Sequence, residues 1–145
     1  MSMEALCAKA EALARDARFA LEWLRGYAAR RFEETSLSDR LAARYNIIAL
    51  VEALAGLAYV AARILGHEEP QGYVDALAYL ARVTGLEEYA PRMKALARLR
   101  NLLVHRYWAV DDVRLHSELG RDLSFVERVL ERIWAVLGGC RATKD

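Results

Sequence analysis

The sequence predicts an all-α fold, an antiparallel bundle of about five helices in a single domain, on three observations. Apolar residues recur at helical spacing along most of the chain. The only prolines are Pro70 and Pro91, and the glycines fall mostly between the apolar-periodic segments. No stretch alternates as a half-buried strand does, and there is no internal repeat. With 145 residues, 55% of them hydrophobic, the chain has the length of one domain and enough apolar surface for one core. Long helices joined by short connections favour antiparallel neighbours.

The first helix is predicted from about Met3 to Glu34, where Leu6, Leu13, Ala17, Ala20, Leu24 and Tyr27 recur at helical spacing. The second follows "TSLSD", in which Ser36 and Asp39 have the spacing of a capping box, and runs to about Leu65 before Gly66. A third, short helix starts near Gln71, just past Pro70, and ends near Thr84 and Gly85. The fourth begins between Glu87 and Pro91 and carries "LRNLLVHRYW", Leu99 to Trp108. Asp111 and Asp112 bend or break the chain. A fifth helix then runs from about Asp112 to Leu137, ended by Gly138 and Gly139.

Composition sets further limits. A formal net charge of +1 removes any global polycation, so an electrostatic footprint for an acidic ligand must be local. Glu4, Lys9, Glu11, Arg15 and Asp16 interrupt the start before a signal-peptide core can form. No uncharged apolar run reaches the roughly 18 residues of a membrane span. The closest, Ile47 to Ala62, contains Glu52. The expectation is a soluble cytoplasmic protein without a membrane partner. Cys7 and Cys140 lack CxxC spacing and neighbouring histidines, so no zinc site is expected, and in a cytoplasmic chain they read as free thiols. Scarce Asn and Gln beside abundant Ala, Leu, Arg and Glu hint at a thermophile, whose cytosol tolerates disulfides. There is no P-loop or GxGxxG, and no cofactor is expected.

The fourth helix departs from the pattern. On an ideal wheel Met93, Leu96, Leu103, Val104 and Tyr107 all lie within about 60° of Arg100. Arg100 thus stands in the middle of an apolar stripe. A buried guanidinium needs a carboxylate, a phosphate or a water-filled cleft, unless it snorkels to the surface. Glu52 is the only charge between Ile47 and Ala62 and is the proposed partner of Arg100. The alternatives for Glu52 are a solvent edge, or another base such as Arg44. Asn101 and His105 are four apart and share a face, rotated roughly 100–140° from Arg100. Between Arg82 and Arg106 six bases face two acids, a local excess of +4 in a chain whose total is +1. His67 and His116 read as ordinary structural or surface residues.

"RNLLVHRY" has the form R-x4-H-x-Y and resembles the signature of HepT-like toxins of the HEPN superfamily. "RYNIIALVEALAGLA", "EEPQGYVDALAYLARVTGL" and "YWAVDD" flank it in matching order, so the likeness covers roughly Ser38 to Trp134. The resemblance implies a homodimer with two motifs facing one cleft, and a metal-independent endoribonuclease. It makes Arg100 and His105 the catalytic pair and Asn101 a supporting polar residue. It makes Tyr107 the tyrosine that a partner nucleotidyltransferase antitoxin modifies with AMP. The residue types suit that chemistry, since an imidazole exchanges protons near neutral pH and a guanidinium grips phosphate.

Two rival readings remain at this stage. One is a non-catalytic module that binds a nucleotide or RNA and serves a nucleotidyltransferase. The other is a structural helical dimer in which Arg100 and Glu52 are a buried specificity pair. Tyr107 has its own plain reading, as a core aromatic on the Arg100 face.

Overall fold

A computed structural model describes residues 1–140. Six α-helices follow in chain order: α1 (Met3–Ala28), α2 (Leu37–Leu65), α3 (Tyr73–Val83), α4 (Ala90–His105), α5 (Asp112–Leu119) and α6 (Ser124–Val136). Three short 3-10 turns lie at Phe32–Glu34, Glu87–Tyr89 and Tyr107–Ala109. No strand occurs among the described residues.

The central helix is α2. Ile47, Leu50, Leu54, Leu57, Ala58 and Ala61 are fully enclosed. It is long and apolar enough to span a bilayer by length and composition, which the search for uncharged runs did not foresee; 61% of its most apolar window is buried inside the bundle. α1 packs along one side of it through Ala10, Ala14, Ala17, Leu21 and Leu24. Their contact is close at Gly56, where a Cβ would stand 3.1 Å from Leu13 Cδ2. α3 and α4 pair on the other side through Leu77, Leu80, Met93 and Ala97. α6 adds Val129, Leu130 and Ile133 against α3, and α5 adds Leu115 and Leu119 towards α1.

Local chemistry sets the boundaries of α2. Ser36 Oγ accepts from the Asp39 N–H at 3.1 Å while Asp39 Oδ2 accepts from the Ser36 N–H at 2.9 Å, the reciprocal capping box the spacing predicted. At the other end Gly66 takes φ +70°, a left-handed conformation that costs glycine little.

Four expectations need correction. The first helix ends at Ala28, not near Glu34, because side chains offer the next carbonyls other partners. Thr35 Oγ1 donates to the Phe32 carbonyl, and Arg40 donates to the Phe32 and Thr35 carbonyls with its guanidinium over the Phe32 ring. The expected fifth helix is two. Asp122 accepts from the Ser124 N–H at 2.9 Å and starts α6 afresh after Gly120. The fourth helix stops at His105, so Tyr107 lies outside it. Lastly, Cys7 and Cys140 form a disulfide rather than two free thiols, with Cα atoms 5.2 Å apart. The free-thiol expectation rested on compartment alone, whereas the fold brings the start of α1 to the chain that follows α6.

Candidate active site

Arg100 lies where α4 faces α2 and the start of α3. Its side chain is only 12% exposed, as its place on the apolar stripe requires. Nη2 donates to Glu52 Oε2 at 2.8 Å, across 48 positions of sequence, and Nη1 donates to Asn101 Oδ1 at 3.0 Å. The predicted Arg100–Glu52 pair therefore forms, and Asn101 joins it. Glu52 stays 47% exposed, so water reaches the anion far more than the cation. Arg100 Nε is buried and has no acceptor among the described residues. The guanidinium is thus held through Nη1 and Nη2, each of which keeps a second N–H that could meet an anion, whereas Nε is enclosed.

Tyr73 joins the Arg100–Glu52 pair, a contact that sequence reasoning missed. The Arg100 guanidinium carbon sits 3.9 Å above its ring centroid, and its hydroxyl donates to Glu52 Oε2 at 2.8 Å. Burial first, and then the hydrogen bond to Glu52, push the Tyr73 hydroxyl above its ordinary value of 10.0, which keeps it protonated and donating. No spacing signals this contact, because the loop between α2 and α3 alone creates it.

His105 is the last residue of α4 and is exposed. Five residues of helix place it about 7.5 Å along the axis from Arg100. Immediately beyond it Arg106 leaves the helix with φ −144° and ψ 51°. Tyr107 is 62% exposed, which removes the reading of it as a core aromatic. Trp108, beside it, is 69% exposed and meets the Tyr107 ring edge-on, with centroids 5.5 Å apart.

Arg44 pins this segment from α2. It donates to Asp112 Oδ1 at 2.8 Å, to the Tyr107 carbonyl at 2.8 Å and to the Val110 carbonyl at 2.9 Å. Arg44 was foreseen only as another partner for Glu52. That alternative is displaced, since Glu52 holds Arg100 and Arg44 holds the turn after the motif. The other histidines are structural. His67 Nδ1 lies 2.8 Å from the Tyr79 hydroxyl, and His116 Nε2 lies 2.7 Å from the Arg30 carbonyl. No group of three His, Cys, Asp or Glu side chains is placed to hold a metal among the described residues.

The motif arginine thus stands beside a carboxylate, and the motif histidine stands on an open helix end five residues on. The family model described as HepT-like, ribonuclease HepT-like, matches residues 11–133. The chain belongs to the HepT-like ribonuclease family. The match takes in most of α1, which carried no specific signal in the sequence. No curated protein and no solved structure matches the chain. Membership gives the coarse activity, ribonucleolytic cleavage.

Proposed function

We propose that the chain is a metal-independent endoribonuclease toxin in which His105 and Arg100 cleave RNA through the ribose 2′-hydroxyl. The His105 imidazole takes the 2′-hydroxyl proton, and that oxygen attacks the adjacent phosphorus. The bond from phosphorus to the 5′-oxygen breaks as a proton reaches the leaving oxygen. The products are a 2′,3′-cyclic phosphate and a 5′-hydroxyl. Arg100 offsets the charge that builds on the phosphate oxygens, while Glu52 and Asn101 hold it in place. The observation that carries this reading is a guanidinium anchored at two edges, five residues before an exposed imidazole on one helix.

One chain offers one motif histidine, and the reaction uses a base and an acid. A homodimer joining two motifs at one cleft supplies the second imidazole. Exposed Leu37, Leu41 and Tyr45 recur at four-residue spacing on α2 and support a second copy as the occupant of that face. Beside them a cleft of about 640 Å³ includes Phe19, Tyr45, Ile48 and Glu52. The apolar face therefore runs up to the carboxylate that holds Arg100.

Tyr107 is the proposed acceptor of AMP from a nucleotidyltransferase antitoxin. Its exposure two residues from His105 supports this role. An adenylyl group there adds bulk and a negative phosphate that competes for Arg100.

Purified protein incubated with RNA in EDTA, beside His105→Ala, tests the reading. Intact mass first establishes that Tyr107 is unmodified. Cleavage leaving cyclic phosphate ends, and lost in the variant, is expected. Folded, unmodified dimer that binds RNA without cutting it would move the chain to the binding-module reading.

A further inference from the structure

A guanidinium is a flat cation with five N–H donors in its plane and two open faces. In Arg100, Glu52 and Asn101 restrain the edges. Edge contacts alone leave the plane free to tilt, and tilt decides where the remaining donors point. One face of this guanidinium lies on the Tyr73 ring at 3.9 Å. The same side chain reaches the anion of the pair, since its hydroxyl donates to the Glu52 oxygen that receives Arg100 Nη2. Tyr73 therefore touches both charges, the cation with its face and the anion with its hydroxyl.

The placement of Tyr73 is itself secured. It is the first residue of α3, preceded by Gly72 at φ +91°. The Gly72 N–H donates to the Tyr59 hydroxyl at 3.1 Å, and the Gln71 N–H donates to Asp75 Oδ2 at 2.8 Å. A glycine at positive φ and two side-chain acceptors thus set the angle at which the chain enters α3.

We infer that Tyr73 is a positioning residue of the ribonuclease site, fixing the plane in which Arg100 presents the remaining N–H groups of Nη1 and Nη2 to the RNA phosphate. The inference rests on the ribonuclease reading above. It separates two roles of one side chain: the ring orients Arg100, and the hydroxyl secures Glu52. The ring is the larger contribution, because misorientation at the reacting phosphate is costly in rate.

The test compares Tyr73→Phe and Tyr73→Leu with the wild type by two readouts. The first is single-turnover cleavage of a short RNA in EDTA, separating kcat from KM. Tyr73→Leu is expected to lower kcat about tenfold to hundredfold with KM changed less than about threefold. Tyr73→Phe is expected to restore kcat to within about threefold of wild type. The second readout is the Arg100 Nε–H resonance, assigned with Arg100→Lys. The aromatic ring should shift it in wild type and Tyr73→Phe, and that shift should vanish in Tyr73→Leu. Tyr73→Leu cleaving like wild type, or Tyr73→Phe losing as much as Tyr73→Leu, would overturn the inference. If Tyr73→Leu fails to fold, Tyr73→Met takes its place in both readouts, with the same expected and overturning results. If the wild-type protein cuts no RNA, the ribonuclease reading falls, and an Arg100 resonance unmoved by Tyr73→Leu overturns the positioning role as well.

Discussion

The ion pair at the site is asymmetric, and its two halves respond differently to loss. Arg100 is largely but not wholly enclosed, and Glu52 is half in water. Removing Glu52 strands a desolvated cation, whereas removing Arg100 strands a carboxylate that water already reaches. Discounted for that exposure, Glu52→Ala should cost about 1–2 kcal/mol, a fall of about 3–6 °C in melting temperature. Arg100→Met keeps the apolar stem and should cost less. Thermal melts of the two variants and their double check this; a larger loss for Arg100→Met would contradict it. At this scale the sequence was informative where a charge stood alone on an apolar stretch, as Glu52 and Arg100 do. It was silent on Tyr73, because an aromatic residue at a helix start is ordinary until folding lays a guanidinium on it.

Among the elements, the turn after α4 depends on one side chain. Arg44 spreads its donors over one carboxylate and two carbonyls, which a lysine ammonium cannot do in the same geometry. Arg44→Lys should loosen residues 107–110, speed limited proteolysis there and lower cleavage about tenfold. An unchanged digestion pattern would show that the turn holds without Arg44. The start of α2 carries a pH dependence. The Ser36 backbone N–H, above all, holds the Asp39 carboxyl below its ordinary value of 3.8. A depressed folded value means the stabilisation is present above the ordinary value and lost as pH falls through the folded one. The gap in melting temperature between wild type and Asp39→Ala should therefore be open at pH 5 and close in acid. A gap constant down to pH 2.5 would contradict this. The sequence announced the cap because a capping box is local. The breaks after Ala28 and Leu119 were harder to read, since side-chain donors after the first and the Asp122 acceptor after the second outcompete a good helical pattern.

For the whole molecule, the Cys7–Cys140 bond closes a loop of 133 positions. Loop-closure entropy sets an upper value of about 5 kcal/mol for such a loop, and disulfides typically stabilise by about 2–4 kcal/mol. Reduction, or Cys7→Ser, should lower the melting temperature by about 5–15 °C, read by calorimetry with and without reductant. Equal melts would show that the bond does not persist in solution. The proposed dimer belongs to the same scale. Tyr45→Glu on the exposed α2 face should convert a sedimenting dimer to monomer and abolish cleavage, whereas a wild type that sediments as a monomer would remove the second imidazole from the mechanism. The bundle was legible because helix periodicity and caps are local signals. The disulfide was not, because it depends on where two distant chain segments meet.

The central claim is that the ribose 2′-oxygen attacks with His105 as its base. The most direct measurement takes an RNA that the protein cuts and replaces the ribose at the cut position with 2′-deoxyribose, in EDTA. The account predicts that cleavage at that bond is abolished while bonds elsewhere are unaffected, and that the unmodified RNA leaves a 2′,3′-cyclic phosphate. Cleavage that persists at the deoxy position, with a 5′-phosphate on the product, would contradict it.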